Sequence, residues 1–87
     1  KANEQLNIFP NPAVDYTTVV LHLDKANNVA IIVRDINGRV VKQLKFNRMS
    51  AGKQEINVNT TDLAAGTYML TAQSGDNVSS GKFIVTK

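Results

Sequence analysis

Hydrophobic and polar residues alternate along most of this chain. Such alternation is typical of β-strands that turn one face toward a core. The alternating segments are rich in β-branched residues, which favour a pleated strand over a helix. The pattern predicts seven strands, at residues 6–9, 15–23, 28–35, 39–47, 53–58, 66–73 and 78–86.

Three of these segments show how the strands are expected to lie. Thr17, Val19, Leu21 and Leu23 occupy one face of the second strand. The run Val29–Val33 is apolar on both faces, which predicts a central strand. In the fourth strand Val40, Leu44 and Phe46 are predicted to share a face, with Lys42 as an exception on it. The five aromatic residues, Phe9, Tyr16, Phe46, Tyr68 and Phe83, are expected mostly on apolar strand faces.

Turn residues separate the strands. Asn37-Gly38 predicts a tight hairpin, in which glycine supplies a positive φ and Asp35 bonds the amides of the turn. Ser74–Asn77 predicts a second hairpin. Only residues 59–65 have a helix-like start, and they are too few for more than one turn. Strands at this spacing predict an all-β, two-sheet antiparallel sandwich, with a small barrel as the alternative.

Length and composition limit the classes of protein to consider. The 87 residues predict one domain, residues 6–87, preceded by the end of a linker, Lys1–Gln5. A hydrophobic content of 43% argues against disorder. The net charge of +3 comes from scattered residues without a basic run, so no nucleic-acid partner is expected. The longest apolar run has five residues, far short of a membrane helix. Residue 1 is not Met, so we expect a piece of something longer, or a processed chain.

No residue pattern predicts catalysis, a metal or a cofactor. His22 is the only histidine and lies on an alternating strand without a nucleophile context. With one histidine and no cysteine, a zinc site is implausible. Oxygen-rich stretches at Asp24–Asn28 and Asp76-Asn77 leave calcium as a minor alternative, but such residues usually make turns. Gly66 is predicted to make the bend into a strand, and Tyr68 to anchor that strand in the core.

Four motifs, in order along the chain, resemble a known family. They are Phe9-Pro10-Asn11-Pro12-Ala13, Asp35-Ile36-Asn37-Gly38-Arg39-Val40-Val41, Leu63-Ala64-Ala65-Gly66-Thr67-Tyr68-Met69-Leu70 and Lys82-Phe83-Ile84-Val85-Thr86-Lys87. Together they resemble the type A C-terminal sorting domain of the type IX (Por) secretion system of Bacteroidetes. The resemblance runs from about Leu6 to Lys87.

The resemblance implies a seven-stranded, immunoglobulin-like sandwich that acts as an address label and not as an enzyme. Its implied partners are the type IX translocon and shuttle proteins, and a sortase-like cysteine protease at the cell surface. The labelled precursor would pass through the periplasm to the outer membrane surface or the medium. The protease would cut in or before Lys1–Gln5 and join the cargo to anionic lipopolysaccharide. A homodimer through exposed strand edges is a further expectation.

The resemblance also assigns roles to residues. Recognition by the translocon or the sortase is expected to involve Gly66, Tyr68, Lys82, Phe83, Val85, Thr86 and Lys87. A structural role in the motifs is expected for Pro10, Asn11, Pro12, Asp35, Gly38 and Arg39. We expect Phe83 and Val85 to fix the closing strand to the core and to leave Lys82, Thr86 and Lys87 outward. Two other hypotheses stay open: an adhesive or carbohydrate-binding module of a larger secreted protein, and a structural spacer.

Overall fold

The computed structural model describes residues 4–87, and within that range the chain is all-β. Seven strands pair antiparallel, and one short strand pairs in parallel with the last. The strands are β1 (Glu4–Gln5), β2 (Asn7–Phe9), β3 (Tyr16–Leu23), β4 (Asn27–Arg34), β5 (Val40–Met49), β6 (Gly52–Asn59), β7 (Gly66–Ser74) and β8 (Asn77–Val85). The seven predicted strands correspond to β2–β8, and their ends agree within two residues.

The strands form two sheets. The larger has the order β1-β8-β7-β4-β5, and the smaller has the order β2-β3-β6. The predicted two-sheet, all-β architecture is therefore confirmed. The immunoglobulin-like assignment stays a prediction, because β5 pairs with β4 and not with β6, unlike the four-plus-three arrangement of immunoglobulin constant domains.

Side chains from both sheets meet in one core. The alternating face of β3 is buried as predicted, and Val29–Val33 lies in the central strand β4, between β5 and β7. The fully buried side chains of greatest volume are Phe83, Ile31, Leu70, Val19, Val29, Val33, Val58 and Val85. Alternation places the residues between them outward, which gives each sheet a solvent face.

The chain changes sheets between β1 and β2. Of the predicted linker Lys1–Gln5, the first three residues lie outside the described range, and Glu4–Gln5 forms β1 beside β8. Leu6 and Ile8 then pack against Gly81 of β8. A Cβ atom at Gly81 would lie 2.8 Å from Ile8 Cδ1 and 3.4 Å from Leu6 Cβ. A glycine at this point lets the crossing segment approach the closing strand.

One face prediction for β5 is wrong. Val40 does not share a face with Leu44 and Phe46, because the ladder with β4 shifts between the pairs Val33–Lys42 and Arg34–Val40. The shift is a β-bulge, and an extra residue moves the side chains beyond it to the other face. Val40 is consequently 52% exposed.

The segment after β6 is a turn. Asn59 Oδ1 accepts hydrogen bonds from the amide of Thr61 (2.8 Å) and from its hydroxyl (2.7 Å). Competition of this kind from a side chain favours a turn over a helix. The described residues hold no helix, and thus none that is long and apolar enough to cross a membrane.

The β4–β5 hairpin has the predicted turn. The Gly38 amide donates to the Asp35 carbonyl oxygen at 2.9 Å, and Gly38 has φ +85°. A Cβ atom at this position would meet no atom within 4 Å. The need for glycine is therefore conformational and not steric.

Replacing Gly38 by valine should lower the free energy of unfolding by about 1–2 kcal/mol, because a β-branched residue resists positive φ. In a domain of this size that corresponds to a fall in the melting temperature of several degrees, measurable by thermal unfolding. Gly38→Asn is the matched control, since asparagine tolerates positive φ and the space is open. Equal melting temperatures for the two variants would contradict the argument.

Candidate functional site

The four sequence motifs meet at one end of the sandwich, which we call the motif end. The hairpin turn that follows β4 lies there, because Arg34 pairs with Met69 near the start of β7. Gly66 at the start of β7 pairs with Val85 at the end of β8. Ala13 bridges to Val85 from the other side. Segments far apart in sequence thus share one surface.

The side chain of Asn11 makes two hydrogen bonds to the backbone of β8, as a neighbouring strand would. Its side-chain Nδ2 donates to the Lys82 carbonyl oxygen at 3.1 Å, and its Oδ1 accepts from the Ile84 amide at 3.0 Å. One amide side chain therefore satisfies a donor and an acceptor on the outer edge of the closing strand. The Pro10 carbonyl accepts from the buried Thr17 hydroxyl at 2.9 Å, which fixes the loop against β3.

Backbone hydrogen bonds extend this pairing in both directions. The Ala13 amide donates to the Ile84 carbonyl oxygen at 2.7 Å, and the Thr86 amide donates to the Ala13 carbonyl oxygen at 2.9 Å. Further along, the Leu6 amide donates to the Ser80 carbonyl oxygen at 3.0 Å. The closing strand is thus paired along β7 on one edge and with the N-terminal segment on the other.

Thr60 is a buried residue whose carbonyl oxygen binds the side chain of Lys87. It is fully buried, and its amide and hydroxyl donate to the carbonyl oxygens of Asp15 (2.8 Å) and Val14 (3.3 Å). The Lys87 ammonium donates to the carbonyl oxygens of Thr60 and Thr61, each at 3.2 Å. The end of the chain is therefore held by a charge-assisted contact as well as by strand pairing.

Tyr68 anchors the start of β7. It is 7% exposed, its hydroxyl donates to the Ala64 carbonyl oxygen at 2.6 Å, and its ring stacks on Phe83 at a centroid distance of 5.7 Å. A tyrosine near the start of this strand that bonds upstream backbone is a hallmark of immunoglobulin sandwiches. The predicted anchoring role of Tyr68 is confirmed.

Asp35 holds its turn through both carboxylate oxygens. Oδ1 accepts from the amides of Asn37 (2.9 Å) and Arg39 (3.0 Å), and Oδ2 lies 3.3 Å from Arg39 Nε. The Arg39 amide, the Asn37 amide and the Arg39 guanidinium together lower the pKa of Asp35, against a smaller opposing effect of burial. The ionised carboxylate is thus part of the folded turn.

A second ion pair connects β5 with the β6–β7 loop. The Lys42 ammonium lies 3.0 Å from Asp62 Oδ2, and its hydrogen bond lowers the pKa of Asp62. Lys42 was expected only as an exception on an apolar face. Its inward position and long side chain let it cross the open edge of the sandwich to this loop. Nothing in the local pattern around Asp62 indicated this partner.

The residues predicted for recognition fall into two groups. Tyr68, Phe83 and Val85 are buried, the last two at 0% and 1% exposure. Gly66, Lys82, Thr86 and Lys87 are exposed. The expected burial of Phe83 and Val85 is confirmed, and Lys82 and Thr86 lie outward. Only the exposed group is available to a receptor that binds the folded domain, and the Lys87 ammonium is already engaged there.

Three of the five aromatic residues lie on core-facing strand faces, as predicted for most of them, and Phe46 is one of these. Tyr68 and Phe83 are core residues, but Phe9 and Tyr16 are 45% and 46% exposed. Phe9 pairs with Thr18, two residues from Tyr16 on the same face of β3, so both rings lie on the outer face of the smaller sheet. Two exposed rings on one face form a feature that sequence periodicity had not shown.

The described residues contain no group of three or more His, Cys, Asp or Glu side chains placed to hold a metal ion. His22 is exposed on β3, opposite Lys53 of β6. An open hollow of about 290 Å³ lies over β4, β5 and β7, between Lys45 and Gln73. Its lining holds amide, lysine and apolar groups, which do not make a nucleophile and base.

The fold and the motif end define a small all-β domain in which several motif side chains bind the domain's own closing strand. The family of secretion system C-terminal sorting domains matches residues 7–86, nearly the whole chain. This chain therefore belongs to that family, the sorting domains of the type IX secretion system. Its members are signals for export through the outer membrane to the cell surface or beyond. A search of curated proteins found no match.

Asn11→Ala should lower the free energy of unfolding by about 1 kcal/mol, because it removes the two solvent-exposed hydrogen bonds to the Lys82 carbonyl and from the Ile84 amide, and these groups then bond to water. Thermal unfolding measures the change. Asn57→Ala, at an exposed position of β6, is the control for the loss of an asparagine side chain. A melting temperature for Asn11→Ala equal to that of the control would show that the side-chain bridge contributes nothing.

Asp35 should make stability depend on pH. Its pKa is lowered by folding, so its contribution is complete above the ordinary value of 3.8 and is lost as the pH falls through the lower folded-state value. Below about pH 4 the wild type should lose stability more steeply than Asp35→Asn, as measured by denaturant unfolding across pH. Asp76→Asn removes the same charge from the other tight turn and is the control. Parallel curves for wild type and Asp35→Asn would refute the assignment.

Proposed function

We propose that this domain is a non-catalytic address label for a cargo protein joined to its N-terminus. The observation that carries the proposal is the double pairing of β8 at the motif end, together with the family match. The closing strand and the residue after it are held by β7, Asn11 and Ala13. A rigid C-terminal surface of this kind suits a receptor that must bind the same label on many cargoes, because little entropy is lost on binding.

The translocon and shuttle proteins of the type IX system are the proposed partners, with passage through the periplasm before the outer membrane. A folded label of this form has no free outer edge along most of β8, since Leu6, Asn11 and Ala13 occupy it. We therefore propose that the receptor reads side chains and loops of the motif end and does not add a strand to β8. The exposed Lys82 and Thr86 are candidates for such contacts.

We also propose removal of the label at the surface by a sortase-like cysteine protease that cuts in or before Lys1–Gln5. The protease thiolate would take the acyl group of the cargo and release the domain with a new amino terminus. A nucleophilic group on anionic lipopolysaccharide would then accept the acyl group and free the thiolate. Among the described residues two register pairs hold β1 to β8, so we propose that Glu4–Gln5 detaches to enter a cleft at low cost. Sequencing the amino terminus of the released domain tests the position.

The second candidate function is carbohydrate binding. The exposed rings of Phe9 and Tyr16 on one sheet face favour it, because sugar-binding modules present exposed aromatic residues. The absence of tryptophan from the sequence argues against it. A glycan array with the folded domain decides the question: no bound glycan removes this candidate.

Deleting Phe83–Lys87 from a cargo fusion should leave the cargo in the periplasm. In a host with the type IX system, surface cargo should fall to the level seen in the same host without a translocon. Lys25→Ala, in the β3–β4 turn, is the matched control and should be exported normally. Normal surface levels after the deletion would end the proposal.

The deletion also removes two core residues, so folding has to be measured beside export. A shorter deletion of Thr86 and Lys87 keeps Phe83 and Val85 in the core and tests the tail alone. Thermal unfolding of each purified fusion then separates a loss of fold from a loss of recognition.

A further inference from the structure

The positive charge of the domain is concentrated in the larger sheet. Its four long strands, β4, β5, β7 and β8, contain no Asp or Glu, and their basic residues are Arg34, Lys42, Lys45, Arg48 and Lys82. In the smaller sheet the charged residues Lys53 and Glu55 form an ion pair at 3.5 Å. The four long strands of the larger sheet therefore carry a net positive charge, whereas the two charges of the smaller sheet cancel.

Three of these cations lie on the outer face of the larger sheet. Arg34, Lys45 and Lys82 alternate with buried or core-packed neighbours, and the register places them on the solvent side. Arg34 pairs with Met69, and Met69 pairs with Lys82. With strands about 4.8 Å apart, the Arg34 and Lys82 backbones are separated by about 10 Å. Lys42 is not part of this face, because its ammonium turns to Asp62.

Exposed apolar side chains lie between and beside these cations. Met69 is 45% exposed between Arg34 and Lys82, and Ile84 is 40% exposed two residues after Lys82. Val40 continues the row on the far side of Arg34. The surface formed by Val40, Arg34, Met69, Lys82 and Ile84 is hereafter called the basic row. An arginine and a methionine at the centre of such a surface match the residue types that are enriched in protein interfaces.

We propose that the basic row docks an acidic protein surface with an apolar centre. The proposal rests on the sorting function, because the acidic surface we infer belongs to a protein of the export apparatus. Charge complementarity selects the partner: four long strands that carry cations and no carboxylate attract acidic partners and repel basic ones. Met69 and Ile84 would supply the apolar contact that cations alone do not provide.

Other occupants fit this surface less well. A nucleic acid would call for closely spaced cations and aromatic platforms, and the described outer face of these strands presents no aromatic ring. A second copy of the domain would bring two basic rows together, and like charges across an interface are unfavourable. An acidic protein is the occupant that both the charge and the apolar residues favour.

The test is charge reversal in the full cargo fusion. Arg34→Glu with Lys82→Glu should lower surface cargo about tenfold or more, since like charges at a contact cost several kcal/mol and 1.4 kcal/mol is a factor of ten. The matched control, Lys25→Glu with Lys53→Glu, makes the same change in net charge away from the row and should stay within about twofold of wild type. Met69→Ser, which removes apolar area without altering charge, should lower export as well.

Thermal unfolding of each fusion shows whether the sandwich is intact. If the variant Arg34→Glu with Lys82→Glu unfolds, surface cargo is measured instead for the neutral variant Arg34→Gln with Lys82→Gln and for Met69→Ser. Normal export of folded row variants overturns the docking surface and leaves the sorting function standing, provided that the Phe83–Lys87 deletion still blocks export. An equal loss of surface cargo in the row pair and in the control pair also overturns the docking surface. So does a wild-type dimer, seen by sedimentation, that the row variants abolish while export stays unchanged. Failure of the wild-type fusion to reach the surface counts against the sorting function itself.

Discussion

The fold depends on hydrogen bonding to both edges of its last strand. A terminal strand held on one edge frays readily, because its outer amides and carbonyls have only water as a partner. Here the N-terminal segment supplies the second set of partners, through Leu6, Asn11 and Ala13. The two ends of the sequence thereby stabilise each other, and the core residues Phe83 and Val85 stay in register with β7.

This closure limits how the domain can associate. Strand addition needs a free edge, and the outer edge of β8 is largely occupied by the domain's own chain. The outer edges of β5 and β6 remain among the long strands. A bulge near each end of β5 and its lysines Lys42 and Lys45 make that edge a poor template for pairing. An edge-paired homodimer stays a prediction.

Local patterns were enough to predict the strands and the tight turn. Alternation in β3 and the Asp35–Gly38 turn depend on neighbours within a few residues, so the sequence displays them directly. The exposure of Val40, the bridge made by Asn11 and the contact of Lys42 with Asp62 depend on a bulge or on partners 20 or more positions away. No single-sequence periodicity encodes such distances. The resemblance of four motifs supplied the family, which strand patterns by themselves could not.

The residues of the family motifs need not be the residues that a receptor contacts. Tyr68, Phe83 and Asn11 stand in motifs, yet each is engaged with the domain's own chain. Replacing any of them would destabilise the label whether or not a receptor touches it, so a loss of sorting in such a variant does not identify a receptor contact. Receptor contacts are better sought at exposed positions whose loss leaves the sandwich intact. Arg34 and Met69 lie on the outer face of the larger sheet, and Arg34 stands outside the four motifs.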